Sequence, residues 1–365
     1  MVGALGMSWI GLRDHAGGVF SPKGLGRANR QPFDLNAVMP RGTLMMEFSS
    51  DPRGGAQTLL SYGSTHPWAA GLKITLCAEG TLRLDHWQGQ QRRSYSLQTD
   101  LLTVKPSVTL TYTWDAPLRR GVLALEVGEG ALVFAELSNP LPISMRDGLR
   151  LMSDERHCAV NSNAAFVAIA NEVLPIGVLP TLGGQTMLET PKGKIAVSDL
   201  RAGQMIVTAT GETAQVRWCG SALLPARGRF APVTLRAPYF GLRHDIEVAP
   251  DQRLRLTGTE VEYLFGTDVI AVRAGHLIDE SSAKATPCGL THRYWQVLLD
   301  RAAPMEIAGL TVEGLDITGV QIDPSLRKHS TIAALPAELI PSRPAHQVPL
   351  LQSYETLTLR KLSAA

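Results

Sequence analysis

Short segments in which apolar and polar residues alternate, separated by turn-forming residues, constrain the fold of this chain more than any other feature. In Thr81–Trp87, the side chains of Leu82, Leu84 and His86 fall on one side of an extended backbone, and the charged residues between them fall on the other. The 23 prolines and 34 glycines leave few long stretches of helical period. The sequence therefore predicts an all-β fold class.

About eight segments of this kind, at turn-separated intervals, predict a β-sandwich in residues 42–152. This region also resembles the concanavalin-like and laminin-G-like jelly rolls, through a "LLSYGS" strand, a "GTLRL" hairpin arm and a "TYTWD" strand. The predicted strands include Thr43–Phe48, Thr58–Tyr62, Leu72–Cys77, Thr81–Trp87, Val108–Trp114, Val122–Val127 and Leu132–Leu137.

The composition along the chain predicts four parts. Residues 1–41 contain little periodicity and are expected to form a loosely held N-terminal arm, followed by the jelly-roll domain at 42–152. Residues 153–180 contain a proline-flanked apolar run and predict a semi-rigid linker. Residues 181–365 predict a second β-domain with a helical tail, whose final amphipathic segment runs from Leu350 to Leu362.

Charge and hydropathy exclude several classes of function. Thirty-five basic residues against thirty-three acidic ones give no reason to expect a nucleic-acid partner. The longest apolar run is too short for a membrane span, and residues 1–10 lack the basic start of a signal peptide, so we expect a cytoplasmic protein or one exported without such a peptide. The four cysteines are widely spaced and favour buried thiols over disulfides or a zinc site. No motif indicates a cofactor or a metal.

Several blocks of the second half are similar to Hint (Hedgehog/intein) domains, which process their own polypeptide chain. The opening block corresponds to residues 181–204, with "TPKG" and "VSDLRAGQ" in the places of the family's turn and strand signals. Later blocks are "VAPDQRL" at 248–254, "AGHL" at 274–277 and "YWQVLLDR" at 294–301. The resemblance extends over roughly residues 178 to 360 and implies a Hint-type β-fold with a short C-terminal helix.

The resemblance also implies where chemistry takes place in the family. A Cys or Ser at the first position attacks the preceding carbonyl, and a histidine in a later block protonates the departing amine. This chain has Thr181 at the first position and Gln252 at the histidine position, and Gln296 and Ala302 replace two further family histidines. A threonine hydroxyl is not ionised near neutral pH, and an amide transfers no proton, so we expect these positions to be inactive.

Two hypotheses about function follow. In the first, the Hint-like half is a catalytically degenerate scaffold, and the jelly roll recognises a glycan or a protein. In the second, the chain cleaves itself slowly by an N–O acyl shift at Pro180–Thr181 and releases the N-terminal domain. Gln252 would then polarise the carbonyl, and His276 or His244 would supply the proton.

A ligand-binding position is predicted on one loop of the sandwich, because the loops at the ends of such folds often carry binding residues. His66 and Trp68 lie in the segment "GSTHPW" and are the candidate ligand-binding residues. A loop with a purely structural role is the alternative interpretation.

Overall fold

The computed structural model describes residues 9–25, 33–49, 55–99, 107–128, 131–286, 289–342 and 348–363. Contacts between Cα atoms divide the chain into two units, Met1–Gly177 and Val178–Ala365. Each unit has a hydrophobic core of its own.

The first unit is a jelly-roll sandwich of two antiparallel sheets. One sheet has seven strands in the order β11-β10-β9-β4-β14-β1-β2, the other has five in the order β13-β5-β6-β7-β8, and β12 pairs with β3. The strands are β1 (Trp9–Asp14), β2 (Gly17–Phe20), β3 (Val38–Met39), β4 (Arg41–Ser49), β5 (Gln57–Ser64), β6 (Ala70–Leu76), β7 (Thr81–Gln88), β8 (Gln91–Gln98), β9 (Ser107–Asp115), β10 (Arg120–Val127), β11 (Ala131–Ser138), β12 (Ile143–Ser144), β13 (Cys158–Val160) and β14 (Ala164–Ala170).

The strand periodicity explains how the sandwich closes. Leu82, Leu84 and His86 of β7 are buried, as the alternating pattern predicts, and they join a core that includes Phe48 and Trp114. The opposite face of the five-stranded sheet carries the exposed or half-buried residues of the same strands. The outer face of β7 is therefore the more exposed one, whereas its inner face packs in the core.

The predicted boundaries of the sandwich were too narrow. Strand β1 lies in residues assigned to an arm, yet Ile10 and Leu12 are buried and β1 pairs with β14. Strand β14 lies in residues assigned to a linker, yet it pairs with β1 on one side and β4 on the other. The prediction failed because the pairings of β14 with β1 and β4, which tie both segments into the sandwich, join residues more than 100 positions apart, and no local pattern marks such pairing. Residues 1–8 and 26–32 of the predicted arm lie outside the described residues.

A helix that the sequence did not predict, α1 (Met145–Ser153), lies between β12 and β13. Ser144 caps it, because its hydroxyl oxygen accepts a hydrogen bond from the backbone N–H of Asp147 at 3.1 Å. The helix buries Leu151 and Met152 in the core of the sandwich. Its partly buried Arg150 lies beside the loop that follows β5.

The second unit has three antiparallel sheets. A seven-stranded sheet runs in the order β18-β19-β25-β15-β21-β20-β24, a four-stranded sheet in the order β23-β22-β27-β26, and β16 pairs with β17. The strands are β15 (Leu182–Gly183), β16 (Met187–Thr190), β17 (Gly193–Ala196), β18 (Met205–Val207), β19 (Thr213–Pro225), β20 (Val233–Leu235), β21 (Ile246–Val248), β22 (Arg253–Thr257), β23 (Val269–Arg273), β24 (Ala283–Ala285), β25 (Thr291–Leu299), β26 (Met305–Ile307) and β27 (Leu310–Val312).

The helices of the second unit are short, and four of the eight in the described residues lie after residue 317, where the sequence predicts a helical tail. The α-helices are α2 (Thr259–Phe265), α3 (Thr318–Ile322) and α4 (Ser353–Ser363), and the 3-10 turns are Gly228–Phe230, Tyr239–Gly241, Ala274–Leu277, Pro324–His329 and Ala337–Leu339. None of the helices in the described ranges has the length and apolar character needed to cross a bilayer.

The cysteines of the described residues, Cys77, Cys158 and Cys219, are free thiols. Burial raises the pKa of the Cys158 thiol to about 11, so this side chain is neutral and unreactive at ordinary pH. Cys288 lies outside the described residues.

Candidate functional sites

A cavity of about 340 Å³ lies beside the loop that follows β5 in the sandwich, and its lining includes Trp87 of β7 and Arg150 of α1. The strand register explains its floor, because Gly63 of β5 lies opposite Gly71 of β6, and Gly71 lies opposite Trp87 of β7. Two adjacent glycines leave the sheet without side chains beside the indole. The lining residues are Gly63, Ser64, Thr65, His66, Ala69, Trp87, Arg150 and His157.

The indole of Trp87 is held against the sheet by Gly71. A Cβ atom at Gly71 would lie 2.0 Å from the Trp87 ring, whereas a Cβ atom at Gly63 would have no heavy atom within 4 Å. The guanidinium of Arg92, which is opposite Trp87 on β8, lies 5.9 Å from the centre of the ring. Gly71 therefore serves the close packing of the ring, and Gly63 keeps the floor of the cavity open.

A buried polar cluster lies beneath this region. The Tyr62 hydroxyl donates to Oδ1 of Asp147, and burial together with this carboxylate raises the pKa of Tyr62 well above its ordinary value. Ser144 Oγ donates to Oδ2 of the same carboxylate at 2.7 Å. On the neighbouring strand, burial lowers the pKa of His86 to about 4, so its ring is neutral and lies 3.3 Å from the Tyr112 hydroxyl. These bonds fix α1 against the sheet at the base of the cavity.

The second candidate site lies at the start of the short strand β15, in the middle of the seven-stranded sheet of the second unit. Leu182 pairs with Trp295 of β25 on one side and with Val248 of β21 on the other. One step back along each antiparallel pair places Thr181 opposite Gln296 and beside the chain that leaves β21. The Ala249 N–H donates to the Thr181 carbonyl at 2.7 Å, which fixes this register.

Thr181, Gln252 and Gln296 form a closed hydrogen-bonded ring. The Thr181 hydroxyl donates to Oε1 of Gln252 at 2.6 Å, and Nε2 of Gln296 donates to the Thr181 hydroxyl oxygen at 2.9 Å. Nε2 of Gln296 also lies 3.2 Å from Oε1 of Gln252 and donates to it. The two glutamine side chains are 2% and 1% exposed, so water has little access to the ring.

The remaining polar atoms of the two glutamines are also occupied. Nε2 of Gln252 donates to the carbonyl oxygens of Arg253 at 2.8 Å and Glu313 at 2.9 Å. Oε1 of Gln296 accepts from the Val297 N–H at 2.9 Å. Because an amide group has two N–H donors, Gln252 has none left for the carbonyl that precedes Thr181. The oxyanion-hole role suggested for Gln252 therefore conflicts with its hydrogen bonds.

The other predicted participants lie outside this ring. His276 is in the 3-10 turn Ala274–Leu277, whose first N–H donates to the Gln252 carbonyl at 2.9 Å. His244 is exposed, and its Nδ1 lies 3.0 Å from the Asp245 carbonyl. Ala302 is exposed beyond the end of β25. Within the described residues, the side-chain hydrogen bonds of Thr181 go to Gln252 and Gln296.

The residues that precede Thr181 in this unit are packed. Val178 is 2% exposed, and its carbonyl accepts a hydrogen bond from the Thr331 hydroxyl at 2.8 Å. Pro180 is buried as well. The peptide bond at which the family would cleave thus lies in a fixed, largely buried segment.

The second unit, which contains the hydrogen-bonded ring of Thr181, Gln252 and Gln296, was also compared with models of protein families. Residues 180–319 match the family model of the Hint domain. This part of the chain is a Hint domain. The match begins one residue before Thr181, and it includes Gln252 and Gln296. The resemblance that the sequence blocks suggested is therefore confirmed.

Solved structures similar to the chain belong to two groups. The carbohydrate-binding module CBM40 of the Ruminococcus gnavus IT-sialidase, bound to α2,3-sialyllactose, is 14% identical, with 39% of this chain and 80% of that chain covered and a TM-score of 0.29. The MchDnaB-1 intein is 13% identical, with 36% and 99% covered and a TM-score of 0.26. The AceL NrdHF class 3 split intein is 10% identical, with 38% and 99% covered and a TM-score of 0.27. The search of curated proteins by sequence found no match.

The structure brings some of the predicted site residues together and leaves others apart. It brings Thr181 and Gln252 of the Hint domain into direct contact, and it adds Gln296. In the sandwich, His66 lines the cavity, whereas Trp68 is 39% exposed and lies outside the described lining. Trp87, Arg150 and His157 complete the cavity, and sequence reasoning missed them as ligand-binding residues. The glycine pair beside Trp87 was the available signal, but it becomes visible only when the strand register is known.

Proposed function

We propose that the Hint domain of this chain is a catalytically degenerate scaffold and that the chain acts as a binding protein. The ligand, a glycan or a protein, binds in the cavity beside the loop that follows β5. The observation that carries the proposal is the hydrogen-bonded ring of Thr181, Gln252 and Gln296. A threonine hydroxyl that donates to an amide oxygen has no base to accept its proton, and the side-chain amide hydrogens of Gln252 and Gln296 are already engaged, so they do not serve a developing oxyanion.

The cavity supports the binding half of the proposal. It is concave, it contains an aromatic side chain, and several polar groups converge on it, which is typical of ligand sites. Glycans and proteins both remain within the proposed ligand class.

Slow autoproteolysis is the second candidate function. Thr181 keeps a hydroxyl at the nucleophile position directly after Pro180, which supports an N–O acyl shift there. The engaged amide hydrogens of Gln252 oppose it. Cleavage by this route would release residues 1–180.

Intact-mass analysis separates the two functions. The purified full-length chain is incubated with hydroxylamine or dithiothreitol, beside a Thr181→Val variant that lacks the hydroxyl. We expect a single species of 39.4 kDa in both samples. Fragments that meet at residue 181 in the unsubstituted chain, and not in the variant, would overturn the scaffold proposal.

The binding half is tested on the full-length chain with an array that carries glycans and peptides. Gly63→Leu places a side chain in the open floor of the cavity, and Ser61→Leu places the same side chain elsewhere on the outer face of β5. We expect Gly63→Leu alone to lose binding. If both variants bind like the unsubstituted chain, the cavity is not the site.

A further inference from the structure

The chemistry of the cavity centres on Arg150. Its Nη1 donates to Oγ of Ser64 and, at 3.2 Å, to the carbonyl oxygen of His66. Both acceptors are neutral. In the part of the chain that the structure describes, Arg150 forms no ion pair, although its side chain is partly buried.

The nearest carboxylates along α1 are engaged elsewhere. Both oxygens of Asp147 accept hydrogen bonds from hydroxyl groups, those of Tyr62 and Ser144. Asp154, directly after the helix, lies 2.6 Å from Nδ1 of His157. Within the described residues neither carboxylate forms a salt bridge with Arg150; the Tyr62 hydroxyl, which donates to Asp147, lies between that carboxylate and the guanidinium.

The other residues that line the cavity contribute no negative charge. Of the described lining residues, Arg150, His66, His157 and Trp87 carry side-chain nitrogen atoms and none is acidic. A guanidinium has five N–H donors in a planar fork; Nη1 of Arg150 donates to Ser64 and His66, and the guanidinium also hydrogen-bonds with the Tyr62 hydroxyl, so these contacts use fewer than the five donors. A partly desolvated fork of this kind matches a carboxylate, which accepts two parallel hydrogen bonds.

The floor of the cavity favours a sugar over a peptide as the carrier of that carboxylate. The bare backbone at Gly63 and the indole of Trp87 form a small platform with an apolar part. The hydroxyl groups of Ser64 and Thr65 lie at its edge. One face of a pyranose ring is apolar and its rim carries hydroxyl groups, so it complements such a platform.

We propose that the cavity binds a carboxylate-bearing sugar, with Arg150 forming paired hydrogen bonds to the carboxylate and the sugar ring lying over Gly63 beside Trp87. This assignment rests on the proposed binding function and names its ligand class. Sialic acids and hexuronic acids share the required chemistry.

The experiment measures binding of the full-length chain to matched probes. Sialyllactose is compared with lactose, and a hexuronic-acid disaccharide is compared with its carboxyl-reduced neutral counterpart. We expect an acidic probe to bind at least about tenfold more tightly than its neutral counterpart, because a hydrogen bond to a charged group contributes substantially in a partly buried site. The two pairs show which acidic sugar is preferred.

Substitutions locate the effect. Arg150→Gln removes the charge and the fork, and we expect acidic-probe binding to fall by about ten- to a hundredfold. Arg150→Lys keeps the charge without the paired donors and is expected to recover only part of the binding. Arg156→Gln removes one exposed positive charge nearby that does not line the cavity, and binding should be unchanged. Thermal melting of each variant confirms folding.

The outcomes are distinguishable. Equal binding of acidic and neutral sugars, or full binding by a folded Arg150→Gln, overturns the carboxylate assignment and leaves the binding function in place. Binding of a carboxylate-terminated peptide without any acidic sugar overturns the sugar class. If neither sugars nor the peptides of the array bind, both the assignment and the binding function fail. The comparison of acidic with neutral probes needs no variant, so a misfolded substitution cannot hide the result.

Discussion

The Thr181 hydroxyl donates its proton to Oε1 of Gln252 at 2.6 Å, across 71 residues of sequence. In Hint chemistry the corresponding groups are a nucleophile and a proton donor to the leaving amine. Here the hydroxyl is the hydrogen-bond donor and the amide oxygen is its acceptor. In this protein the two side chains join separate segments of the second unit by this hydrogen bond.

Removing the hydroxyl should therefore reduce stability. We expect Thr181→Val to lower the free energy of unfolding of the Hint domain by about 1–2 kcal/mol, because Oε1 of Gln252 loses its shortest hydrogen bond in a buried site. Urea denaturation measures the change. Thr213→Val, on an exposed strand position, is the matched control and should change little. Equal stability of the two variants would show that the ring contributes nothing.

Restoring the family's residue types should restore chemistry. We expect Thr181→Cys with Gln252→His to cleave before residue 181 when a thiol is added, because the pair regains a nucleophile and a group that titrates near neutral pH. Thr181→Cys alone should cleave about 10²–10⁴-fold more slowly, since it lacks the general acid. Mass spectrometry follows the release of residues 1–180. A folded double variant that stays whole means that the site has been placed wrongly.

The boundaries of the sandwich can be tested with fragments. Residues 1–152 lack β14, which pairs with β1 and β4 and buries Phe166 and Ile169. We expect the fragment 1–152 to be poorly soluble or to lack a cooperative thermal transition. The fragment 1–177 should show a cooperative transition. Near-ultraviolet circular dichroism reports the packing of the aromatic core. A cooperative transition of equal midpoint in both fragments would contradict the central role of β14.

His86 should make the sandwich sensitive to acid. Burial lowers its pKa to about 4 in the folded chain, against about 6.5 in an unfolded one. Above pH 6.5 both states are neutral at this residue and its contribution is fully present. As the pH falls, the unfolded state binds the proton first, so stability is lost between pH 6.5 and pH 4.

The expected size of this effect at pH 5, relative to pH 7, is about 2 kcal/mol. His86→Gln removes the titrating group and should abolish this part of the pH dependence, although it lowers stability at pH 7 as well. His15→Gln, at an exposed position, should leave the dependence intact. Urea denaturation at pH 5 and pH 7 provides the comparison. If the free energy of unfolding of His86→Gln falls between these pH values as much as that of the unsubstituted chain, His86 is not the source of the pH dependence.

The two glycines of the cavity floor should respond in opposite ways to the same substitution. Gly71→Ala places a Cβ atom within 2.0 Å of the Trp87 ring and must displace the indole, so we expect a loss of about 1–3 kcal/mol and an altered tryptophan spectrum. Gly63→Ala meets no atom within 4 Å and should be tolerated. Near-ultraviolet circular dichroism and thermal melting distinguish them. Identical behaviour of the two variants would contradict the packing described for Trp87.

The sequence predicted the strands whose pattern is local. The alternation in Thr81–Trp87 became β7, with His86 buried beside Leu82 and Leu84. Strand β14 was missed because all seven of its residues are apolar and six of them are buried, so it shows no alternation of apolar and polar residues. Such a run resembles an apolar linker until its two partner strands are known. Helix α1 was missed because it is short and its stability comes from Ser144 and the core rather than from a long helical period.

The sequence by itself determined that this chain is all-β and that its second half is of the Hint type, and it predicted Thr181 and Gln252 at the family's reactive positions, since each of these follows from residue identity and local spacing. Only the tertiary structure decided that Gln296 closes a ring with them and that both amide hydrogens of Gln252 are in use. It alone placed Arg150 beside His66 and Trp87. The reason is physical: the hydrogen-bond partners of a side chain depend on which distant segments are in contact, and strand register and helix packing determine those contacts.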